Sequence, residues 1–481
     1  MVSLTAAMMN ASSALDAFGQ ALDVVQNNVA NASTPDYASQ TQSLEAMELN
    51  PAQGFGGGVA TGQVVSSRDE YAEQTVQQQT TLLGQAQQDV SSLTGIQSQF
   101  NVTGSSGISA AFNNLFNAFS AWGQTPTSTV AQQNVITQAT SVASAFQQTA
   151  AGLEAVAQST GQQLRDTVTD VNQMATQLAG YNRQIMNGDH DDAGLDAQIH
   201  STLDQLSNDG SISATQQSNG TWTVLLNGQT PLVMGSQAFA LSTGTVPPSA
   251  TSANPNGPPH LSLLAYDGTD ITADTTSGQL GSLLNTANNV LPSYLGDGNQ
   301  AGSLNVLAQS FASNVNSLLT NGNQSDGPPP VPGVPLFTYD TANATDVAQS
   351  LQVSSTITPS QLAAISPGPP EVSNGVALAL SQLADPTSAS DEVGGFSYTQ
   401  SYAAMASNVG TLLDNANDNV STQQSAVAQA QNVRQQISGV SLDDEATILI
   451  QFQQAYEASS KLITVLDQLT EDTMNMVSTS S

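Results

Sequence analysis

In LTAAMMNASSALDAFGQALDVVQNNVANASTPDY (residues 4–37), the apolar residues Leu4, Met8, Ala11, Leu15, Phe18, Leu22, Val25 and Val29 alternate steps of four and three without exception. That is the a/d series of a coiled-coil seam. About 26 residues of helix at 1.5 Å each span roughly 39 Å, and a helix with one narrow apolar stripe needs a partner to be stable. It ends in uncharged Asn, Ser and Thr and then a proline. Asn28, Asn31, Thr34, Pro35 and Tyr37 are the candidate helix-end turn. Short amides there can bond freed backbone groups, and a residue before proline is pushed toward extended backbone. Asp36 in this turn argues for a backbone that does not need the positive φ glycine supplies.

The other end of the chain supplies the partner. SLDDEATILIQFQQAYEASSKLITVLDQLTEDTMNMV (441–477) opens with Ser441 and Asp444 at capping-box spacing and places Asp443, Asp444 and Glu445 in the first turn, where the helix dipole favours anions. Its stripe is Leu449, Phe452, Tyr456, Ile463 and Leu466, widened by Ile448, Leu462 and Leu469, and Glu457 stands four residues before Lys461 in the favourable i,i+4 order. The two terminal helices read as one paired coil, and the two stripes together are the candidate assembly seam.

Helical spacing recurs at Val76 to Phe100, Val142 to Ile185 and Tyr402 to Ile437, whereas Gly54 to Val65 reads as an extended connector. Fifteen of the twenty prolines fall between Pro247 and Pro370, so long helices belong to the flanks. Asn219-Gly220 and Asn227-Gly228, each between β-like runs, signal hairpins. Helical character returns at 278–320, and DGPPPVPGVP (326–335) reads as loop. The expected fold is mainly α, elongated and multi-domain. Residues 1–40 with 441–481 form the terminal coiled coil, 41–200 with 276–440 a helical-bundle body that is loop-rich at 326–400, and 201–275 a small inserted β domain.

Charge narrows the possible partners. Only 9% of residues are charged and the formal net charge is −33, against a charged fraction of roughly 25% in typical soluble proteins. The five cations are Arg68, Arg165, Arg183, Arg434 and Lys461. So acidic a chain is unsuited to nucleic acid or an anionic membrane surface. A surface of Gln, Asn, Ser and Thr suits subunits packed side by side and is equally compatible with an ordinary acidic soluble protein. Zero cysteines excludes disulfides, thiol catalysis and thiolate metal sites. No apolar run is long enough to span a membrane. The N-terminus lacks the charged n-region and contiguous apolar core of a signal peptide, so export without a cleaved leader is expected.

Reactive constellations are sparse. His190 beside Asp189, Asp191 and Asp192 in GDHDDAGLD (188–196) reads as a solvated turn, because adjacent residues rarely converge on one ion. His200 and His260 stand in no motif, and Trp122 and Trp222 read as core anchors. No phosphate loop, nucleophile elbow or HExxH occurs. No catalytic residue, metal ligand or cofactor is expected.

VQNNVANASTPDY (25–37) resembles the signature shared near the N-terminus by the axial proteins of the bacterial flagellum. GVSLDDEATILIQFQQAYEASSKLITVLDQL (439–469) is similar to the hook-associated protein 1 family within that group, with Gln-Phe-Gln-Gln-Ala-Tyr at 451–456 and Ala458 to Lys461 carrying the match. LAGYNRQI, STLDQLS, GTWTVLLNGQTPLV, SGQLGSLLNTANNVLPSYL and LQVSSTITPSQLAA extend the likeness over most of the chain, loosely from 326 to 400. The departures are Asp36 where the family usually has Gly, Ala38-Ser39 for Ser-Arg, and DAGLDAQIH (192–200) where an acidic-basic pair is expected.

The resemblance implies a structural subunit exported through the flagellar type III apparatus to the cell exterior, where it joins hook to filament as part of a ring. The paired termini would line the inside and the middle would face outward. Implied partners are further copies of the chain, the hook protein, the next hook-associated protein or flagellin, and an export chaperone on the C-terminal helix. The alternatives are another axial subunit (rod, hook or flagellin) or a secreted hydrolase with its activity in the central insert.

Overall fold

The computed structural model describes residues 2–50, 55–101, 106–188 and 192–479. Helix α1 (Val2–Asn31) and helix α12 (Leu442–Thr479) pack along each other. They run antiparallel, with Asn28 against Glu445 and, ten residues earlier in α1, Phe18 against Phe452 at 6.2 Å between ring centroids. The buried positions of α1 are Ala11, Ala17, Ala21, Val25 and Asn28, while Leu4, Met8, Leu15, Phe18 and Leu22 are half-buried and Val29 is 44% exposed. Phe18 and Gly19 lie against α12, at Phe452 and Tyr456, whereas Asn10 and Ser13 lie against Gly58 of the hairpin that also packs on this helix.

A β-hairpin follows α1. β1 (Gln40–Ala46) pairs antiparallel with β4 (Val59–Ser66) across a bulge between Gln42 and Leu44, and β2 (Leu49–Asn50) pairs with β3 (Phe55–Gly56). The segment expected as a connector is therefore one arm of a ribbon lying along α1. Asp69 then caps α2 (Glu70–Gln97) by accepting from the Ala72 amide.

The body holds two cores. Helices α3 (Gly107–Gln124) and α4 (Thr129–Asn187) bury Phe112, Phe119, Trp122 and Phe146 against Phe311 of α8 (Ser303–Thr320) and Tyr398, at the start of α11 (Tyr398–Ser438). Helix α4, at 59 residues and roughly 90 Å by rise, reaches from this core into the second. There Val168, Val171 and Leu178 meet α5 (Ala193–Asp209), α6 (Gly278–Asn285) and an antiparallel sheet. The sheet runs in chain order, β5 (Ile212–Gln216), β6 (Trp222–Leu226), β7 (Thr230–Met234) and β8 (Gln237–Ala238), with β9 (Ser242–Val246) and β10 (His260–Leu264) as a separate hairpin. Asn227 and Gly228 both take positive φ (53° and 70°), as a type I′ turn between β6 and β7 requires.

The strands begin at Ile212 rather than at 201, because α5 runs on to Asp209. The helical return is broken. α6 passes through a π-turn at Thr286–Val290 into α7 (Leu291–Leu295) before α8. Short helices α9 (Val347–Ser350) and α10 (Gly375–Gln382) interrupt the loop-rich stretch, and Val331–Pro332, inside the expected loop 326–335, pairs with Asn323–Ser325. Helix α11 returns along α2, with Leu93 against Leu413 and Ala416. The chain then turns through Gly439 into α12.

Candidate assembly surface and its joint to the body

Four passages of the chain meet where the terminal coil joins the body: the end of α1, the start of α2, α5, and the α11–α12 turn. The helix-end turn is built from both ends. Asn31 O accepts from the Thr34 amide at 2.8 Å, and Thr34 O from the Tyr37 amide at 3.4 Å. Within this second turn Pro35 follows Thr34 and Asp36 takes φ +59°. Proline and then a residue of positive φ is the type II pattern. The expectation that Asp36 signals a turn without positive φ is overturned. Aspartate tolerates this region better than most residues, and here it is held. Its carbonyl accepts from Arg68 Nη2 at 2.7 Å and its carboxylate from Arg434 Nη2 at 2.7 Å.

Asn28 is the centre of the knot. Only 1% exposed, it donates from Nδ2 to Gln40 O and to Glu445 Oε1, both at 2.8 Å. Its Oδ1 accepts from the Gln40 amide and from the Tyr37 hydroxyl, both at 3.0 Å. One side chain thus ties the end of α1, the start of β1 and the first turn of α12. Tyr37 continues the tie, packing with Ala193, Ala197 and Val440. Its hydroxyl is pushed up by burial and by the charges of Glu445 and Asp196. Ser39, Ser67 and Ser438 stitch the backbone beneath: Ser39 N donates to Ser438 O at 2.8 Å, and the Ser438 hydroxyl to Ser67 O at 3.1 Å. Asn31 stays local, donating to Asn27, while Thr34 and Pro35 are exposed.

Two of the five cations are spent here. Arg68 donates from Nη1 to Glu73 at 2.5 Å and from Nη2 to Asp196 at 2.7 Å. Arg434 Nη1 donates to Asp204 at 2.8 Å and to Glu73 at 3.1 Å. Asp196, His200 and Asp204 share one face of α5, at i, i+4 and i+8. His200 is buried with its ring edge-on to Trp222 (5.1 Å), and neither ring nitrogen has a hydrogen-bond partner among the described residues. Burial, reinforced by Arg68 and Arg434, holds its pKa well below the usual histidine range. Burial pushes Asp204 up to about 6 against the pull of Arg434, and burial with the charge of Asp170 pushes Asp209 up to about 7. Beside this cluster an open polar cleft of about 1040 Å³ is lined by Thr34, Pro35, Asp170, Asp204 and Asp209.

Along α12 the residues turned toward α1 include Leu449, Phe452, Ile463 and Leu466, all half-buried. Tyr456 is 39% exposed, its ring edge 3.8 Å from where a Cβ on Gly19 would stand. Leu462, Val465 and Leu469 are 53%, 59% and 47% exposed. Lys461 makes no ion pair among the described residues, Glu457 included. Sequence reasoning missed Glu445, Arg68 and Arg434. A carboxylate in a first turn reads as a dipole partner, and only tertiary structure reveals that Glu445 is 5% exposed under Asn28. The rarity of cations was the available signal for the arginines.

Asp189, His190 and Asp191 lie outside the described residues, and Asp192 caps α5. Among the described residues no group of His, Cys, Asp and Glu is placed to hold a metal ion, and no helix is long and apolar enough to cross a membrane.

A long antiparallel pair of terminal helices, set on a body of further helices with a small sheet inserted, is the architecture of an axial structural protein of the flagellum. Both ends match models of that class: residues 8–37 the flagella basal body rod protein, and residues 434–476 the flagellar basal body rod FlgEFG protein C-terminal. Residues 93–337, just over half of the chain, match the flagellar hook-associated protein FlgK helical domain; the chain belongs to that family, structural components of the flagellar axis at the hook–filament junction. It is 27% identical over 511 aligned residues to flagellar hook-associated protein 1 of Bacillus subtilis (strain 168), covering 99% of each. Its fold resembles that of the flagellar hook junction protein FlgK from Burkholderia pseudomallei, with a TM-score of 0.64 at 17% identity over 76% of this chain and 100% of the other.

Proposed function

We propose that the chain joins hook to filament by packing alone. The terminal coil assembles copies side by side around the flagellar axis, and the two-core body faces outward. The observation that carries this reading is the row of apolar side chains that α12 leaves exposed after packing on α1, chiefly Leu462, Val465 and Leu469. Exposed apolar rows of this kind mark interaction surfaces. The partners on this reading are further copies of the chain, the hook protein on one side, and the next hook-associated protein or flagellin on the other. The C-terminal helix is the segment an export chaperone would hold before secretion. No catalytic step is assigned.

Deleting the gene tests this. Intact hooks with flagellin shed into the medium are the expected result. Loss of the hooks themselves would make the chain a rod or hook subunit instead, a reading its matched ends also permit. Turnover of peptidoglycan or casein by the purified chain, abolished by His190→Ala, would overturn the packing-only account.

A further inference from the structure

We propose that the outward face of α12 docks on the outward face of α1 in a second copy of the chain, with Lys461 engaging the carboxylates Asp16 and Asp23 of that copy. This rests on the reading that terminal helices assemble copies side by side. It adds which faces meet and what sets their direction.

Helix α12 carries two tracks. One faces α1. On the other side Ala458, Leu462, Val465 and Leu469 repeat at four, three and four residues, all exposed. Taken as a heptad, 458 and 465 are d positions and 462 and 469 are a positions, so Lys461 falls at g. Charges at g choose a coiled coil's partner and its orientation. Lys461 is the only cation after Arg434, and none precedes Arg68. It stands exposed without an ion pair among the described residues, although Glu457 is one turn away.

The complementary face is on α1. Clear of its contact with α12 lie Met9, Ser12, Asp16 and Asp23, at steps of three, four and seven residues, while Gly19 borders that contact at Tyr456. All four are exposed, Met9 at 70%. Ser12 is small enough to leave room for a leucine or valine, and Asp16 and Asp23 sit one heptad apart along the track. Lys461 lies nine residues beyond Phe452, so the antiparallel register puts it level with Met9 of its own copy, and a neighbour at the same height would present Asp16 nearer than Asp23. Symmetry favours the pairing as well. A face of α12 against a different face of α1 is a heterologous contact, which repeats around an axis, whereas α12 against α12 would close after two copies.

The chain has no cysteine, so engineered pairs report only the contact under test. Lys461→Cys with Asp16→Cys, and Lys461→Cys with Asp23→Cys, would each be expressed in cells lacking the gene, and isolated flagella oxidised and run on a denaturing gel. Ladders of covalent oligomers from at least one pair, and none from Lys461→Cys alone, are expected. In parallel, K461E should lose filaments, and K461E with D16K or D23K should regain them. Junctions that form normally with K461E, a dimer from Lys461→Cys alone, or a crosslink to a protein of different mass would overturn the proposal and leave the junction role intact. If the wild-type chain is absent from the hook end by immunogold labelling, the underlying reading fails instead.

Discussion

Asn28→Ala should open the joint without unfolding the body. The substitution removes four hydrogen bonds from a side chain that is 1% exposed. Two of the stranded groups matter most. The Tyr37 hydroxyl is buried, and Glu445, 5% exposed and with Oε2 already unpartnered, keeps only the 3.4 Å contact from Ser39. An unsatisfied buried polar group costs about 1–3 kcal/mol, and more when charged. The losses overlap, so about 3–5 kcal/mol is expected for the whole side chain. Hydrogen exchange by mass spectrometry reads this locally. Protection at Gln40 and across the first turns of α12 should fall on the order of a hundredfold or more, while peptides from α3 and α8 keep their rates. Val130→Ala, 81% exposed at the start of α4, is the control and should leave these rates unchanged. If Asn28→Ala leaves exchange at Gln40 and Leu442–Leu449 unchanged, the knot does not hold the coil.

The pH dependence follows from Asp209, raised to about 7. A carboxyl with a folded pKa above its unfolded one contributes stability that is fully present below the unfolded value and lost as pH rises through the folded value. The melting temperature should therefore fall between pH 6 and 8, and Asp209→Asn should flatten that slope; below about pH 6.5 the depressed His200 works in the opposite direction. Gly84 lies where α2 crosses α5, and a Cβ there would stand 2.2 Å from the Asn208 carbonyl oxygen. Gly84→Ala should thus lower the melting temperature by several degrees, against the usual gain of about 1 kcal/mol for alanine in a helix. Asp36→Ala should destabilise more than Asp36→Gly by about 1 kcal/mol in denaturant melts, since both lose the Arg434 contact but only alanine carries the cost of φ +59°.

Much of this was legible in the residues, in the places where a local rule decides. Heptad spacing placed both terminal helices, and Asn227-Gly228 placed the β6–β7 turn. What escaped has tertiary causes. Periodicity finds a stripe but not a second element that packs beside it. Ala17 and Ala21 are buried outright while Phe18 and Leu22 stay half-buried, because a hairpin as well as α12 packs along α1. Asp36 misled because the reading weighed only the backbone's preference for glycine, whereas two arginines from distant parts of the sequence stabilise aspartate in that conformation. Helix α3 filled a gap between the longer stripes, and the small sheet was recognised from its turns while its first boundary was hidden by the run-on of α5.

The most direct measurement is a density map of the native hook–filament junction at side-chain resolution. The account predicts α1 and α12 at the innermost radius, antiparallel with Phe18 against Phe452, and the sheet of β5 to β8 further out. A junction layer in which the terminal pair lies outside the body, or in which α1 and α12 of one copy are separated, would contradict it.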